Sequence, residues 1–198
     1  MSNTDRYIKT TELIENNIDS IIDEIVFLQH TQTAILRNDF YLVKDKDTQA
    51  IFENILCKNQ PKISPNNHQK AFDIKHFGNQ ISIKSGTINN NYLKFSYSRT
   101  TEYPTLDDKL KYLSTFENLI LGIASEKIKN NNSNIIQQNK YYLYYFPANE
   151  INLQIMDWME THNQYVGVDN DKDIVVEIKK KMSDQPWITL PTSLIRTV

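Results

Sequence analysis

The chain has 198 residues, of which 39% are hydrophobic and 23% are charged. This composition is typical of a globular protein and excludes a mostly disordered chain. The formal net charge is −2, so no overall basic field indicates nucleic-acid binding. The single cysteine, Cys57, excludes an internal disulfide and a zinc site built from several cysteines.

No targeting or membrane signal is visible in the sequence. The N-terminal residues contain no apolar run of signal-peptide length, and no later run approaches the roughly 20 apolar residues that cross a bilayer. We therefore expect a cytoplasmic protein that does not bind membranes. The length favours a single domain over residues 1–198.

Two helical patterns precede the first strands. Apolar residues recur at helical spacing over 11–28 with acidic residues between them, which predicts an amphipathic helix within residues 1–30. A second pattern over 51–56 places Glu53 beside its apolar stripe. This helix is expected to end before Pro61, because proline breaks the helical hydrogen-bond ladder.

Three strands are predicted next. Residues 71–76 and 80–84 form a hairpin around Phe77-Gly78-Asn79, in which the Gly-Asn pair is typical of a tight turn. A third strand over 92–98 follows the polar loop Asn89-Asn90-Asn91.

A long helix is predicted to begin at Pro104-Thr105 and to carry its apolar face as far as Ile120. Thr105 is its expected N-cap, because a threonine hydroxyl can accept from a free amide of the first turn. A polar loop over 129–140 leads to an aromatic strand over 141–146, whose alternation indicates core packing.

The C-terminal part is predicted to contain a short helix over 151–159 and a hairpin of 165–168 with 174–178. The tail after this hairpin is judged too short for another folding unit. The full order favours an α/β fold in which helices flank a central mixed β-sheet. Its core would span about 48–146, and 147–198 would add the C-terminal helix and hairpin.

Chemistry is concentrated on the first hairpin. Alternation along a strand sends Ser82 and Lys84 to one face and Ile81 and Ile83 to the other. Asp73 on the preceding strand can approach that polar face. A carboxylate oxygen is a hard ligand suited to Mg²⁺, and an ammonium can orient water or stabilise charge at a phosphate.

The succession of a helix, an Asp-bearing strand, a strand bearing x-Ile-Lys, a third strand, a helix and a further strand resembles the PD-(D/E)xK nuclease core of type II restriction endonucleases. The stretches YLKFSYSRTTEYPTLDDKLKYL and MSDQPWITLP also look like restriction-enzyme sequence. The resemblance covers roughly 53–146. It implies Mg²⁺-dependent hydrolysis of double-stranded DNA at a short specific site, and a homodimer in which each subunit cuts one strand.

The resemblance places four residues of this chain at positions of the family's motif. Asp73 matches the metal-binding aspartate, Lys84 the catalytic lysine, and Glu53 the acid on the helix before the sheet. Ser82 departs from the family, since it stands where Glu or Asp is usual. Restriction enzymes with Ser-x-Lys take an acid from the next helix, and the residues that could supply it here are Glu102, Asp107, Asp108 and Glu117.

Polar residues at the end of the third strand are candidates for contacting DNA. They are Ser96, Ser98, Arg99, Thr100 and Thr101, with Asn90 in the loop before that strand. In a nuclease this segment would face the DNA groove, because arginine reads guanine bidentately and hydroxyls contact phosphates. The plainer interpretation is a polar strand end.

A second set of residues matches the letters of the motif more closely. Asp169, Glu177 and Lys179 follow the D…ExK pattern and are the alternative catalytic set. Only nineteen residues follow Lys179, among them Pro186 and Pro191, so the helix and strand that complete the core have no room. The earlier hairpin is therefore the preferred site.

A structural interpretation of the hairpin is also open. An Asp and a Lys on neighbouring strands can be an exposed ion pair of little energetic value. The alternative function is then a non-enzymatic DNA- or protein-binding α/β protein of a mobile element, with the hairpin as scaffold. The missing acid at Ser82 keeps this alternative open.

Overall fold

A computed structural model describes residues 3–24, 27, 73–76, 79–114, 119–127, 139–180 and 184–197. Helix α1 spans Asn3–Asn16, and after a turn at Asn17 the chain is helical again over 18–24. Ile14 and Ile21 are fully buried, so the apolar stripe of this region faces the protein. The predicted N-terminal amphipathic helix is therefore confirmed, although it begins earlier than its apolar repeat.

Ten strands of the described residues form one mixed sheet. They are β1 (Ile74–His76), β2 (Asn79–Asn89), β3 (Tyr92–Ser96), β4 (Leu119–Lys127), β5 (Asn139–Pro147), β6 (Asp157–Glu160), β7 (Gln164–Asp169), β8 (Ile174–Lys179), β9 (Gln185–Pro191) and β10 (Arg196–Thr197). A second described helix, α2 (Leu106–Leu113), lies between β3 and β4. None of the described helices is long and apolar enough to cross a membrane.

The strand order is β10-β5-β4-β2-β3-β9-β8-β7-β6, and β1 also pairs with β2. Strands β2 and β4 are parallel, and the other pairs are antiparallel. The α/β class and the mixed sheet are as predicted. The parallel pair needs a crossover, and the connection from β2 to β4 includes α2.

The sheet has a core on each face. On the face that we call the α1 face, residues of β2, β4 and β5 pack with Ile14 and Ile21. On the opposite α2 face, residues of β3, β4, β5, β8 and β9 pack with Leu110 and Leu113 of α2. Helices therefore flank the central sheet on both sides, as expected for the α/β class.

The start of α2 is as predicted, but its length is not. Thr105 caps the helix, since its hydroxyl accepts from the Asp108 amide at 3.1 Å. The described helix ends at Leu113, and Ile120, which we placed on its apolar face, belongs to strand β4. Residues 119–124 are all buried. A central strand that is covered on both faces has a continuous apolar run, and such a run lacks the alternation that identifies a strand.

The predicted helix over 151–159 is wrong. The chain makes a short 3-10 turn at Ala148–Glu150 and then forms strand β6. Trp158 lies across Gly167 of β7 in the paired register, and its indole N–H donates to the Leu153 carbonyl at 3.0 Å. Tertiary pairing with β7 therefore overrides the helical spacing of Leu153 and Met156, which are both buried.

The C-terminal hairpin is confirmed as β7 and β8, but the tail after it has a larger role than predicted. Strand β9 lies between β3 and β8 in the interior of the sheet. Pro186 and Pro191 stand at the two ends of this strand, where a missing amide interrupts few ladder bonds. The predicted second helix with Glu53, Cys57, Glu117 and most of the loop 129–140 lie outside the described residues.

Candidate active site

The first hairpin forms, but Asn79, which we placed in the turn, belongs to β2 and pairs with His76. Within the described residues the hairpin leaves an opening along β2. One edge of β2 pairs with β4 over residues 81–88. The other edge pairs with β1 over residues 79–81 and with β3 over residues 86–89. Residues 82–85 therefore lie between the start of β1 and the end of β3. This is the part of β2 that carries Ser82 and Lys84.

Asp73 lies just before the start of β1, beside this opening. Its amide donates to the Ile81 carbonyl at 2.8 Å. Its carboxylate atom Oδ2 accepts from the Ile83 amide at 2.6 Å and from the Ser82 hydroxyl at 3.3 Å. The carboxylate thus provides a side-chain acceptor for a backbone amide of β2 just before β1 begins, and Ser82, which is almost fully buried, helps to orient it.

Lys84 meets the same carboxylate oxygen. The Lys84 ammonium lies 3.7 Å from Asp73 Oδ2, with 14% of the Lys84 side chain and 30% of the Asp73 side chain exposed. Ser82 and Lys84 pair with Ile120 and Gly122 of β4, so they lie on the α2 face. The predicted convergence of the acid and the amine on one face of the sheet is observed.

The backbone of Lys84 is fixed from the neighbouring strands. The Tyr144 hydroxyl crosses β4 and donates to the Lys84 carbonyl at 2.6 Å. It can do so because Gly122 stands between them, where a Cβ atom would lie 1.9 Å from the Lys84 carbonyl oxygen and 2.6 Å from the Tyr144 hydroxyl. The Lys84 ammonium itself lies 5.7 Å from the centre of the Tyr97 ring.

The residues at this opening fit a magnesium ion in part. Among the described residues, the hydrogen bonds and the ion pair of the Asp73 carboxylate use Oδ2, and none of these contacts engages Oδ1. Mg²⁺ often takes only one or two carboxylates and completes its shell with water and phosphate oxygens. Among the residues that the structure describes, no three His, Cys, Asp or Glu side chains lie together as a metal cluster. Glu53, the second predicted ligand, is outside these residues.

Within the described part of the chain, the candidate acids of α2 do not form a group of three potential metal ligands with Asp73. Asp108 serves the cap of α2, since its carboxylate accepts from the Thr105 hydroxyl at 2.6 Å. Glu102 and Asp107 are exposed on the segment that leads into the helix and on its first turn. None of these three is therefore identified as the replacement for the acid missing at Ser82.

An open cleft of about 180 Å³ lies on the α2 face beside Tyr97. Apolar side chains of α2, β9 and the 147–153 segment line it, together with the amides of Asn149 and Asn152. Tyr97 is common to this cleft and to the surroundings of the Lys84 ammonium.

The predicted DNA-contacting residues separate into different environments. Arg99 and Thr101 are exposed after β3, and Ser98 is half-buried. Ser96 follows Phe95, which belongs to the core of the α2 face, so strand alternation turns Ser96 to the α1 face, away from Lys84. Asn90 has a positive φ of 50° and is followed by Asn91 with a φ of 65°, the conformation of a tight hairpin turn.

Thr100 lies inside the protein. It is fully buried, and its hydroxyl and its amide both bind the Asp184 carbonyl, at 2.6 and 3.2 Å. The buried Lys109 ammonium holds the same segment, since it donates to the Thr100 carbonyl at 2.9 Å, to the Tyr103 carbonyl, and to the Asp184 carboxylate at 3.0 Å. The Thr100 hydroxyl is therefore committed to the fold and is not presented to DNA.

The alternative catalytic set does not come together. Asp169 pairs with Ile174 on the core side of the sheet, whereas strand alternation places Glu177 and Lys179 on the opposite face. The Asp169 carboxylate accepts from the Asp171 and Lys172 amides at 3.1 Å each, which shapes the β7–β8 turn. Glu177 forms an ion pair with Lys94 at 3.0 Å.

Three residues beside Lys84 were missed at the sequence level: Tyr97, Gly122 and Tyr144. A glycine inside an apolar run can mark a close approach of another group, and Gly122 could have been noticed on that ground. The two tyrosines carry no such signal, because aromatic residues in strands are most often core residues. Only the strand register brings them to Lys84.

Comparisons with known proteins gave no match, since no family model, curated protein or solved structure matches this chain. The function is therefore proposed from the sequence and the geometry of the described residues.

Proposed function

We propose that this protein is a Mg²⁺-dependent, site-specific endonuclease of the type II restriction class, which hydrolyses phosphodiester bonds in double-stranded DNA. The observation that carries the proposal is the Lys84 ammonium at 3.7 Å from the Asp73 carboxylate, on one face of adjacent strands. Taking a carboxylate and an ammonium partly out of water costs free energy that their attraction offsets only in part, so this pair is a candidate for a functional role.

The order of elements supports the same class. The Asp-bearing strand β1, the Lys-bearing strand β2, strand β3, helix α2 and strand β4 follow one another along the chain. This is the order on which the resemblance to the PD-(D/E)xK nuclease core depends. The strand that follows the helix is β4, whereas the sequence predicted the aromatic strand β5 at this place.

The residues of the site would divide the work as follows. Asp73 would hold Mg²⁺ through Oδ1 while Ser82 and the Ile83 amide keep Oδ2 in place. Glu53 is the proposed second ligand. The bound ion would supply Lewis-acid stabilisation of the phosphate charge. Lys84 would donate hydrogen bonds to the attacking water or to a phosphate oxygen, orienting it for in-line attack.

Double-stranded DNA would be the partner, and Arg99, Ser98 and Thr101 are the remaining candidates at the end of β3 for contacting it. A two-fold homodimer would place one copy of the site on each strand of a palindromic sequence. The cytoplasm, where the DNA is, would be the place of action.

Cleavage of DNA tests the proposal directly. Purified protein is incubated with phage DNA and Mg²⁺ over a range of salt concentrations, because binding of phosphates weakens as salt rises. Discrete fragments are expected from the parent protein. Lys84→Ala is expected to lower the cleavage rate by at least about 100-fold, the range of a lost electrostatic contact to the transition state. A Lys84→Ala variant that cuts as well as the parent would exclude the proposed role.

One observation favours the second candidate, a non-enzymatic DNA- or protein-binding module. The Asp73 carboxylate already accepts a backbone amide and a hydroxyl, which is a sufficient structural reason for an acid at this position. Metal binding separates the two functions. Mg²⁺ or Ca²⁺ should raise the melting temperature of the parent and leave that of Asp73→Asn unchanged if the site binds metal, and should change neither protein if it is only scaffold.

A further inference from the structure

The Lys84 ammonium lies against an aromatic ring as well as against a carboxylate. Its distance of 5.7 Å from the Tyr97 ring centre is within the range of about 6 Å in which a cation is attracted to the face of a ring. Both side chains are largely buried, with Tyr97 8% exposed. Partial removal from water strengthens such a contact.

The Tyr97 ring is itself held in place. The backbone of Tyr97 is fixed first: the Tyr97 amide donates to the Pro186 carbonyl at 2.9 Å, and the Tyr97 carbonyl accepts from the Gln185 side chain at 3.4 Å. The edge of the ring packs against Phe95, at 6.4 Å between ring centres and 63° between planes. A lysine side chain has four flexible carbons, so a fixed ring restricts where its ammonium can lie.

We infer that Tyr97 is a positioning residue, whose ring holds the Lys84 ammonium beside Asp73. This inference rests on the proposed function, in which Lys84 acts on the phosphate or the water. Tyr97 would not touch the DNA at the reacting atoms. Its contribution would be to keep the ammonium in the productive position, which affects the chemical step more than DNA binding.

The contact is tested without activity by NMR of the lysine side chains. Protons over the face of an aromatic ring resonate upfield, so the Lys84 ε-methylene signal, assigned by its loss in Lys84→Ala, should be displaced upfield from the other lysines. Tyr97→Phe keeps the ring and should keep the displacement. Tyr97→Leu should return the signal to the ordinary lysine position. A Lys84 signal at that position in the parent overturns the inference.

Kinetics test the consequence. Tyr97→Leu is expected to lower kcat about three- to tenfold, the size of a partly buried cation–ring contact, with KM for DNA unchanged, and Tyr97→Phe is expected to restore kcat. Ile174→Ala is the matched control, because it removes packing from the same core on β8, three strands away from β2 in the sheet. It should lower stability as Tyr97→Leu does and leave kcat unchanged.

A failure of the inference about Tyr97 and a failure of the proposed function give different results. If Lys84→Ala is inactive while Tyr97→Leu keeps the parent kcat, the inference is wrong and the proposed function stands. If Lys84→Ala cuts as well as the parent, the proposed function is wrong, and the NMR displacement alone decides whether the ring holds the ammonium. An equal loss of kcat in Ile174→Ala and Tyr97→Leu indicates a general loss of packing and also overturns the inference.

Discussion

Asp73 combines two demands on one side chain. Its oxygen Oδ2 serves the backbone of β2 and the Lys84 ammonium, and its oxygen Oδ1 would serve the metal. An aspartate that completes a sheet edge is held rigidly, and rigidity is what a metal ligand requires. The structural and the catalytic interpretations of this residue are therefore compatible, and substitutions can separate them.

Asp73→Ala and Asp73→Asn should differ in stability but not in activity. Alanine leaves the Ile83 amide without its acceptor, which should lower the free energy of unfolding by about 1–3 kcal/mol. Asparagine keeps a carbonyl oxygen for that amide, and should cost less. Both remove the charged ligand and should abolish cleavage. Urea unfolding measures the stability of each variant, and a DNA digest measures its activity. Equal losses of stability would show that the hydrogen bond from the Ile83 amide is unimportant.

Two tyrosines of β5 should make the protein sensitive to alkali. Burial raises the pKa of Tyr141 to about 12. Burial, with a hydrogen bond to Glu15, raises the pKa of Tyr145 to about 12 despite the opposing effect of Arg196. In the unfolded chain a tyrosine loses its proton near pH 10. The stability that depends on these neutral phenols is therefore complete below pH 10 and falls as the pH rises from 10 to 12.

Phenylalanine variants test this pH dependence. Tyr141→Phe removes a buried hydroxyl that has no hydrogen-bond partner among the described residues, so stability at pH 7 should be unchanged or slightly higher. Tyr145→Phe removes the bond to Glu15 and should be less stable at pH 7. Both should unfold at a higher pH than the parent in a pH titration of the melting temperature. An unchanged alkaline midpoint in both variants would contradict the assignment.

At the scale of elements, β4 organises the site. It pairs in parallel with the strand that carries Ser82 and Lys84, and on its other side with β5. Gly122 lies opposite Lys84 in this register, and Tyr144 of β5 reaches over it to the Lys84 carbonyl. The position of Lys84 therefore depends on a strand whose first residues were predicted to be helical.

Gly122→Ala should be more costly than Gly86→Ala. A Cβ at Gly122 meets a backbone oxygen at 1.9 Å, whereas one at Gly86 meets the flexible end of the Leu93 side chain at 2.7 Å. Overpacking typically costs about 1–3 kcal/mol, and Gly122→Ala is expected at or above the upper end because backbone must move. Gly86→Ala is the matched control within the same sheet. Chemical denaturation of the two variants measures the difference, and a Gly122→Ala variant as stable as Gly86→Ala would argue against the close approach of Tyr144.

At the scale of the whole molecule, strand β9 joins the two parts of the sheet. Strand β9 pairs with β3 and β8, and its Ile188 and Leu190 are buried in the core of the α2 face. Asp184, just before β9, binds the buried Lys109 of α2. The C-terminal segment thus connects the strand after the candidate site with the C-terminal hairpin.

Removal of residues 181–198 should therefore prevent folding. The deletion exposes the edges of β3 and β8 and leaves the Lys109 ammonium without its carboxylate, a loss that is severe for a buried charge. Removal of 196–198 alone takes away only the short strand β10 and should leave a folded protein. Circular dichroism during heating compares the two, and a cooperative transition in the longer deletion would show that β9 is dispensable.

The sequence by itself determined the α/β class, the presence of the first hairpin, the cap of α2 and the C-terminal hairpin. Each of these depends on local signals: alternation, a turn that contains glycine or asparagine, or a hydroxyl at a helix start. The approach of Asp73 to Lys84 was predicted, but the register that pairs Ile74 with Ile81 was not, and a shift of one residue moves a side chain to the other face.

Only the tertiary structure decided the identity of β4 and β9, the path of residues 151–160 and the surroundings of Lys84. Strand β4 is buried on both faces, so its sequence does not alternate between apolar and polar residues. Strand β9 has a proline near each end and pairs with β3, which is distant in sequence. The contacts of Tyr97, Gly122 and Tyr144 with Lys84 join different strands. Local sequence encodes the period of an element, but the choice of neighbouring strands depends on burial summed over the whole sheet.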